Sequence, residues 1–126
     1  MDDALQIKDQ LQTQDLFEAF KAQLKKDLEE CACDGSFVEE LKPSFDEIKQ
    51  EIFKEIKRNE KRTNFNLQQL LYRVDINEKR LNAEIKANKS SDHIEIISEL
   101  IIKRILQKVV LKKYFSSNEN KNRIEE

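Results

Sequence analysis

The stretch LEECACDGSFVEEL, residues 28–41, concentrates the side chains of this chain best suited to metal or redox chemistry. It holds both cysteines, Cys31 and Cys33, the only glycine, Gly35, and Asp34 beside it. A structural zinc site takes about four Cys or His ligands, whereas the whole chain offers Cys31, Cys33 and His93. Two helical residues two positions apart point roughly 200° from each other, so Cys31 and Cys33 share one ion only on an unwound helix end or by pooling thiolates with a second copy. The familiar redox pair has two intervening residues, and here there is one. A calcium loop with Gly35 at position 6 places Glu30, Ala32 and Asp34 at positions 1, 3 and 5, but Leu41 falls at position 12, where a bidentate Glu is needed. The expected role of the stretch is a turn: Gly35 in the left-handed conformation ends one helix, and Ser36 with Glu39 starts the next.

Other catalytic signatures are missing. His93 follows Asp92 at the expected start of a helix, with no nucleophile or orienting partner in view. A single glycine excludes a glycine-rich phosphate loop, and no Glu-x-x-His pair of the di-iron type occurs. No catalytic residue, cofactor, metal or small-molecule substrate is therefore expected. The chemistry that remains is charge set into apolar stripes, in LLYRVDINEKRL and IIKRILQKVVLKKYF. On a helical projection Arg104 and Lys108 fall near Ile97, Ile101 and Phe115. Their heads either snorkel to water or meet acids such as Asp75 or Glu78. Arg73, Asp75, Glu78, Arg104 and Lys108 are thus the candidates for a structural ion pair or an interaction surface, with Arg104 pairing to Asp75 or Glu78 set against simple exposure on a bundle flank.

The elements that must position these residues read as helices. Charged residues make up 38% of the 126, with one Pro and no Trp, so the turn residues that sheets require are nearly absent. Asp15 and Glu18 form a capping-box pattern ahead of Leu16, Phe17, Phe20, Leu24 and Leu28, a helix expected to reach about Ala32, while residues 1–13 read as a frayed leader or an early extension of it. Ser44 with Glu47 opens a helix carrying Phe45, Ile48, Ile52 and Ile56 on one stripe with Phe53 beside it. Residues 65–74 form either a new helix or a continuation across a break near Asn64. Asp75 or Asn77 caps a short helix with Leu81 and Ile85. Ser91 or Asp92 caps the last helix, expected to end near Phe115 before a disordered polar tail, 116–126. The apolar residues of 94–111 spread nearly all round that last helix, which therefore belongs at the center of a bundle or at an oligomer interface. The expected fold is all-α: a single domain, 1–115, built as an antiparallel bundle of four to five helices around the apolar C-terminal helix.

The segments LLYRVD at 70–75 and IIKRILQKV at 101–109 resemble stretches of small, uncharacterised bacterial all-helical proteins with the patterns LLYR(V/I)D and IIxRxxQKV. The resemblance covers roughly residues 65–115 and leaves the acidic first third unmatched. It implies a helical fold and no particular activity.

Charge and hydropathy bound the partners. The net charge of −2 argues against a dedicated nucleic-acid binder. It hides an asymmetry, because residues 1–47 carry 13 acids and 5 bases, net −8, against +6 for the remaining 79 residues. The most apolar run is broken by Glu95, Glu99, Lys103, Arg104 and Lys108, so no membrane span is expected, and without a visible leader the default location is cytoplasmic with reduced cysteines. The expected function is a non-enzymatic protein-interaction domain that forms a homodimer or other homo-oligomer, or binds another protein, through helix 92–115. The alternative is binding of nucleic acid or another anionic partner through Lys103, Arg104, Lys108, Lys112 and Lys113, with stacking from Tyr114 and Phe115.

Overall fold

The computed structural model describes the backbone of residues 2–125 and the side chains of residues 7–115. Six α-helices follow one another: α1 (Asp2–Gln12), α2 (Gln14–Glu30), α3 (Phe45–Asn59), α4 (Leu67–Val74), α5 (Glu78–Ala87) and α6 (His93–Glu125), with a 3₁₀ turn at Ser36–Glu40. No strand occurs among the described residues. The helix count exceeds the expected four to five because the leader is a helix of its own, with Ile7 and Leu11 buried.

The segment of α6 from Ile94 to Val109 organises the molecule. Ile94, Ile96, Ile97, Leu100, Ile101, Ile102, Ile105, Leu106 and Val109 are all buried, and α6 touches each of the other five helices. Isoleucine is a weak helix former, so this stretch owes its helicity to packing on several sides rather than to propensity. Against it lie Ile48, Ile52 and Ile56 of α3 and Phe17, Phe20, Leu24 and Leu28 of α2, in one continuous core. Lys49 of α3 bridges to Glu95 at 3.2 Å and Glu99 at 3.6 Å on α6, and Lys57 to Asp92 at 3.1 Å. At its start, the Asp92 carboxylate accepts from the Ile94 amide at 2.8 Å, the capping arrangement favored at a helix N-terminus.

The apolar surface of 94–109 is consumed inside the chain, so the leftover apolar strip shrinks to the segment beyond it, where Leu111, Tyr114 and Phe115 are exposed. The backbone of α6 also continues past Phe115, its expected end, to Glu125. The expectation of a disordered tail at 116–126 falls outside the residues whose side chains are described.

Several caps differ from the sequence reading. Thr13 precedes α2 and its side chain makes no cap, so the Asp15–Glu18 box does not form; Glu18 instead pairs with Lys21 at 3.1 Å. At the other end of α2 the left-handed residue is Ala32, at φ 66°, and not Gly35, whose φ is −92°. The Cys33 amide bonds to the Leu28 carbonyl at 2.9 Å and the Ala32 amide to that of Glu29 at 3.2 Å. That is the two-bond Schellman closure, and the position after the left-handed residue packs an apolar group back on the helix. Buried Cys33 is that group. Gly35 is needed for another reason: a Cβ there would lie 2.9 Å from the Cγ atoms of both Lys25 and Glu29. Ser36 makes no capping box with Glu39; its amide bonds to Asp34 Oδ1 at 2.9 Å, and Glu39 pairs with Lys25 at 2.8 Å. The two small residues of the turn should respond oppositely to substitution. Ala32→Gly relieves a left-handed alanine and should raise the unfolding free energy by about 1 kcal/mol in urea melts, whereas Gly35→Ala should lower it by about 1 kcal/mol or more through overpacking against α2.

Candidate functional site

The connection between α4 and α5 is a second Schellman closure. Asp75 occupies the left-handed region at φ 69°, its amide bonds to the Tyr72 carbonyl at 3.1 Å, and the Ile76 amide reaches Leu71 at 2.9 Å. Aspartate tolerates this conformation better than most side chains. Asp75 therefore ends α4, and Asn77 caps α5 by accepting from the Lys79 and Arg80 amides. The turn exposes the Asp75 carbonyl and carboxylate to α6, where Arg104 engages both: Nε donates to the carbonyl at 3.1 Å and Nη2 to Oδ2 at 2.7 Å. Nη1 donates to Gln107 Oε1 at 2.7 Å. Among the described residues Asp75, and not Glu78, is the carboxylate paired with Arg104. Glu78 sits in the first turn of α5, where the helix dipole favors an acid.

One turn further along α6, Lys108 Nζ donates to the Arg73 carbonyl at 3.2 Å. The Arg73 side chain turns the other way, to Asp27 Oδ1 at 3.2 Å and Glu30 Oε2 at 2.5 Å, and so ties α4 to the end of α2. Arg73, Asp75, Arg104 and Lys108 thus belong to one strap holding α4 and its turn between α2 and α6. Asp27 is buried, accepts also from Gln23 at 3.0 Å, and leaves its Oδ2 without a hydrogen-bond partner. The sequence reading missed Asp27, although it lies on the apolar stripe of Phe17, Phe20, Leu24 and Leu28, a position where an acid calls for a partner.

The same signal marks Glu55 and Asn59, both buried on the stripe of Ile48, Ile52 and Ile56. Glu55 Oε2 accepts from the Asp34 amide at 3.0 Å and Asn59 Nδ2 at 2.6 Å, and Oε1 from Arg58 at 2.9 Å. The carboxylate thereby anchors the cysteine loop to α3. Burial, reinforced by the Glu55 charge, pushes the Cys33 thiol up to about 12. Burial and then Asp27 raise Cys31 as well. Both groups are held as thiols, the form that neither ligates metal nor attacks a disulfide. Among the described residues no cluster of three or more His, Cys, Asp or Glu is placed to hold a metal ion. His93 is exposed at the start of α6.

Beside the Arg104–Asp75 pair lies a groove of about 600 Å³ between α1, the α4–α5 turn and α6. Arg80, Lys103 and Arg104 bring three cations to it and Asp75 the one carboxylate, while Ile7, Leu100 and Val110 supply apolar wall. Arg80 and Gln107 were not singled out by sequence; Gln107 stands one turn beyond Arg104 on α6, the spacing at which helical side chains meet.

Two measurements probe this geometry. The Arg104 hydrogen bond, and then its charge, hold the Asp75 carboxyl below the ordinary carboxylate value. A depressed folded-state pKa contributes stability that is complete above the unfolded value, about 4, and is lost as pH falls through the folded one. Asp75→Asn, which keeps a residue tolerant of the left-handed turn, should therefore be less stable than wild type near neutrality, with the gap closing below about pH 4 in pH-dependent melts. For the cysteines, a disulfide reagent at about pH 8 should leave Cys33 unmodified in the folded chain and react with both thiols once the chain is unfolded. Compared with known protein families, curated proteins and solved structures, the chain matches none of them.

Proposed function

We propose that the protein is a non-enzymatic helical interaction domain, an antiparallel bundle about α6, which assembles with a second copy through the end of that helix. The observation that carries this reading is the change of character along α6. Its apolar residues are buried up to Val109, and immediately beyond, Leu111, Tyr114 and Phe115 are 45%, 61% and 60% exposed. Positions i, i+3 and i+4 share one helical stripe, so the three side chains form a single apolar ridge on a helix that continues to Glu125. Such a ridge is suited to a helix–helix contact between two copies, and its flanking Lys112 provides charge to meet the acidic first third of a partner chain.

No helix of the described residues is long and apolar enough to cross a membrane. The arrangement of bases favors protein over nucleic acid as partner. Arg104 is engaged by Asp75, Lys108 by the Arg73 carbonyl and Lys113 by Asp15 at 3.6 Å, so three of the five bases between Lys103 and Lys113 are already taken up in separate contacts, which interrupts a phosphate-tracking stripe. Sedimentation equilibrium tests the proposal. The wild-type chain should show a dimer mass that reverts to the monomer in Tyr114→Glu/Phe115→Glu, at unchanged thermal stability, because neither side chain contributes to the core. A wild-type chain that stays strictly monomeric at high concentration would refute self-association.

A further inference from the structure

The groove beside Arg104 combines features that the interaction reading leaves unused. Its cations come from two separate elements, Arg80 from α5 and Lys103 and Arg104 from α6, and they outnumber the single carboxylate, Asp75, that faces the same space. Arg104 is already fixed in orientation by its bonds to the Asp75 carbonyl, the Asp75 carboxylate and Gln107. Those three bonds use three of the five N–H donors of a guanidinium. Among the described residues, neither Arg80 nor Lys103 is ion-paired with a carboxylate. The uncharged lining is apolar at Ile7, Leu100 and Val110 and includes the amide side chains of Gln10, Asn77 and Gln107. A volume of about 600 Å³ lies within the range typical of small-molecule sites, which pair apolar walls with a few fixed polar groups.

From this charge complementarity we infer that the groove binds a small organic acid: an acidic head between Arg80, Lys103 and the pre-oriented Arg104, and an apolar body against Ile7, Leu100 and Val110. A bare inorganic anion leaves those apolar walls in water, and a neutral apolar molecule leaves the cations without a counter-charge. The left-handed turn at Asp75 is what makes this arrangement, because it brings the start of α5, with Arg80, alongside α6.

The test is a titration of the isotope-labelled full chain with octanoate, octanol and inorganic phosphate, followed by amide chemical shifts. Octanoate should bind saturably, with shifts concentrated at residues 7–10, 75–80 and 100–110. Octanol and phosphate should each bind at least about tenfold more weakly, and Arg80→Gln/Lys103→Gln should weaken octanoate by a similar factor, since a charge-assisted contact is lost. Both substituted side chains lie outside the core, so the variant should keep the wild-type melt; if it does not, the single variant Arg80→Gln, whose side chain is exposed, carries the same comparison. Octanol binding as tightly as octanoate, or phosphate doing so, would each overturn the inference. So would shifts mapping elsewhere, equal affinity of the variants, or no saturable octanoate binding up to about 10 mM. Leu111 borders both the groove and the ridge, so the titration is repeated in Tyr114→Glu/Phe115→Glu, where the same shifts and affinities separate acid binding from self-association.

Discussion

The burial of α6 between Ile94 and Val109 is the constraint on which the rest of the structure depends. A helix with isoleucine and leucine on nearly every side is stable in water only when surrounded, and a chain of this length must surround it with its own short helices. That requirement explains why elements as brief as α4 and α5, too short to be stable alone, nevertheless hold their places: Leu70, Leu71, Val74 and Leu81 are buried in the core. It also explains why α1 is ordered against the body, since Ile7 and Leu11 complete the cover of the core.

Enclosing one helix with many short ones multiplies helix ends, and helix ends leave polar backbone groups to be satisfied. Two of these ends are closed by the same left-handed device, with Ala32 after α2 and Asp75 after α4. Each closure is then held by a charged group from a different helix. Glu55 of α3 accepts the Asp34 amide beyond the first, and Arg104 of α6 grips the carbonyl and carboxylate of the second. The buried Glu55 is satisfied by several donors at once, the condition under which an ionised side chain is tolerated inside a protein. Arg104 and Asp75 are more exposed, so their pair contributes more to the direction of the turn than to stability.

The surfaces proposed for binding arise where this enclosure is incomplete. Beyond Val109 the cover thins, and the apolar character of α6 carries on into the exposed Leu111, Tyr114 and Phe115. Between α1 and α5 the cover leaves a groove, walled on one side by Lys103 and Arg104. Both features follow from one long helix being wrapped by partners shorter than itself.

Sequence periodicity alone determined the all-helical class, the positions of α2 and α3, the start of α6, its centrally apolar nature and the short list of charges set within apolar stripes. These are local properties, carried by residue type at helical spacing. Arg104 was recognisable because a guanidinium near Ile97 and Ile101 must find a partner or water. Only the tertiary structure decided which acid stands opposite it, because Asp75 and Glu78 are three residues apart and a single left-handed residue selects between them. The same holds for the cysteine stretch. Spacing made it resemble a site, but the fold turned Cys33 into the apolar plug of a helix end, gave the left-handed role to Ala32 and set Gly35 against α2 for lack of room. Backbone handedness at a turn and the approach of a neighboring helix depend on residues distant in the chain, and no local pattern encodes them.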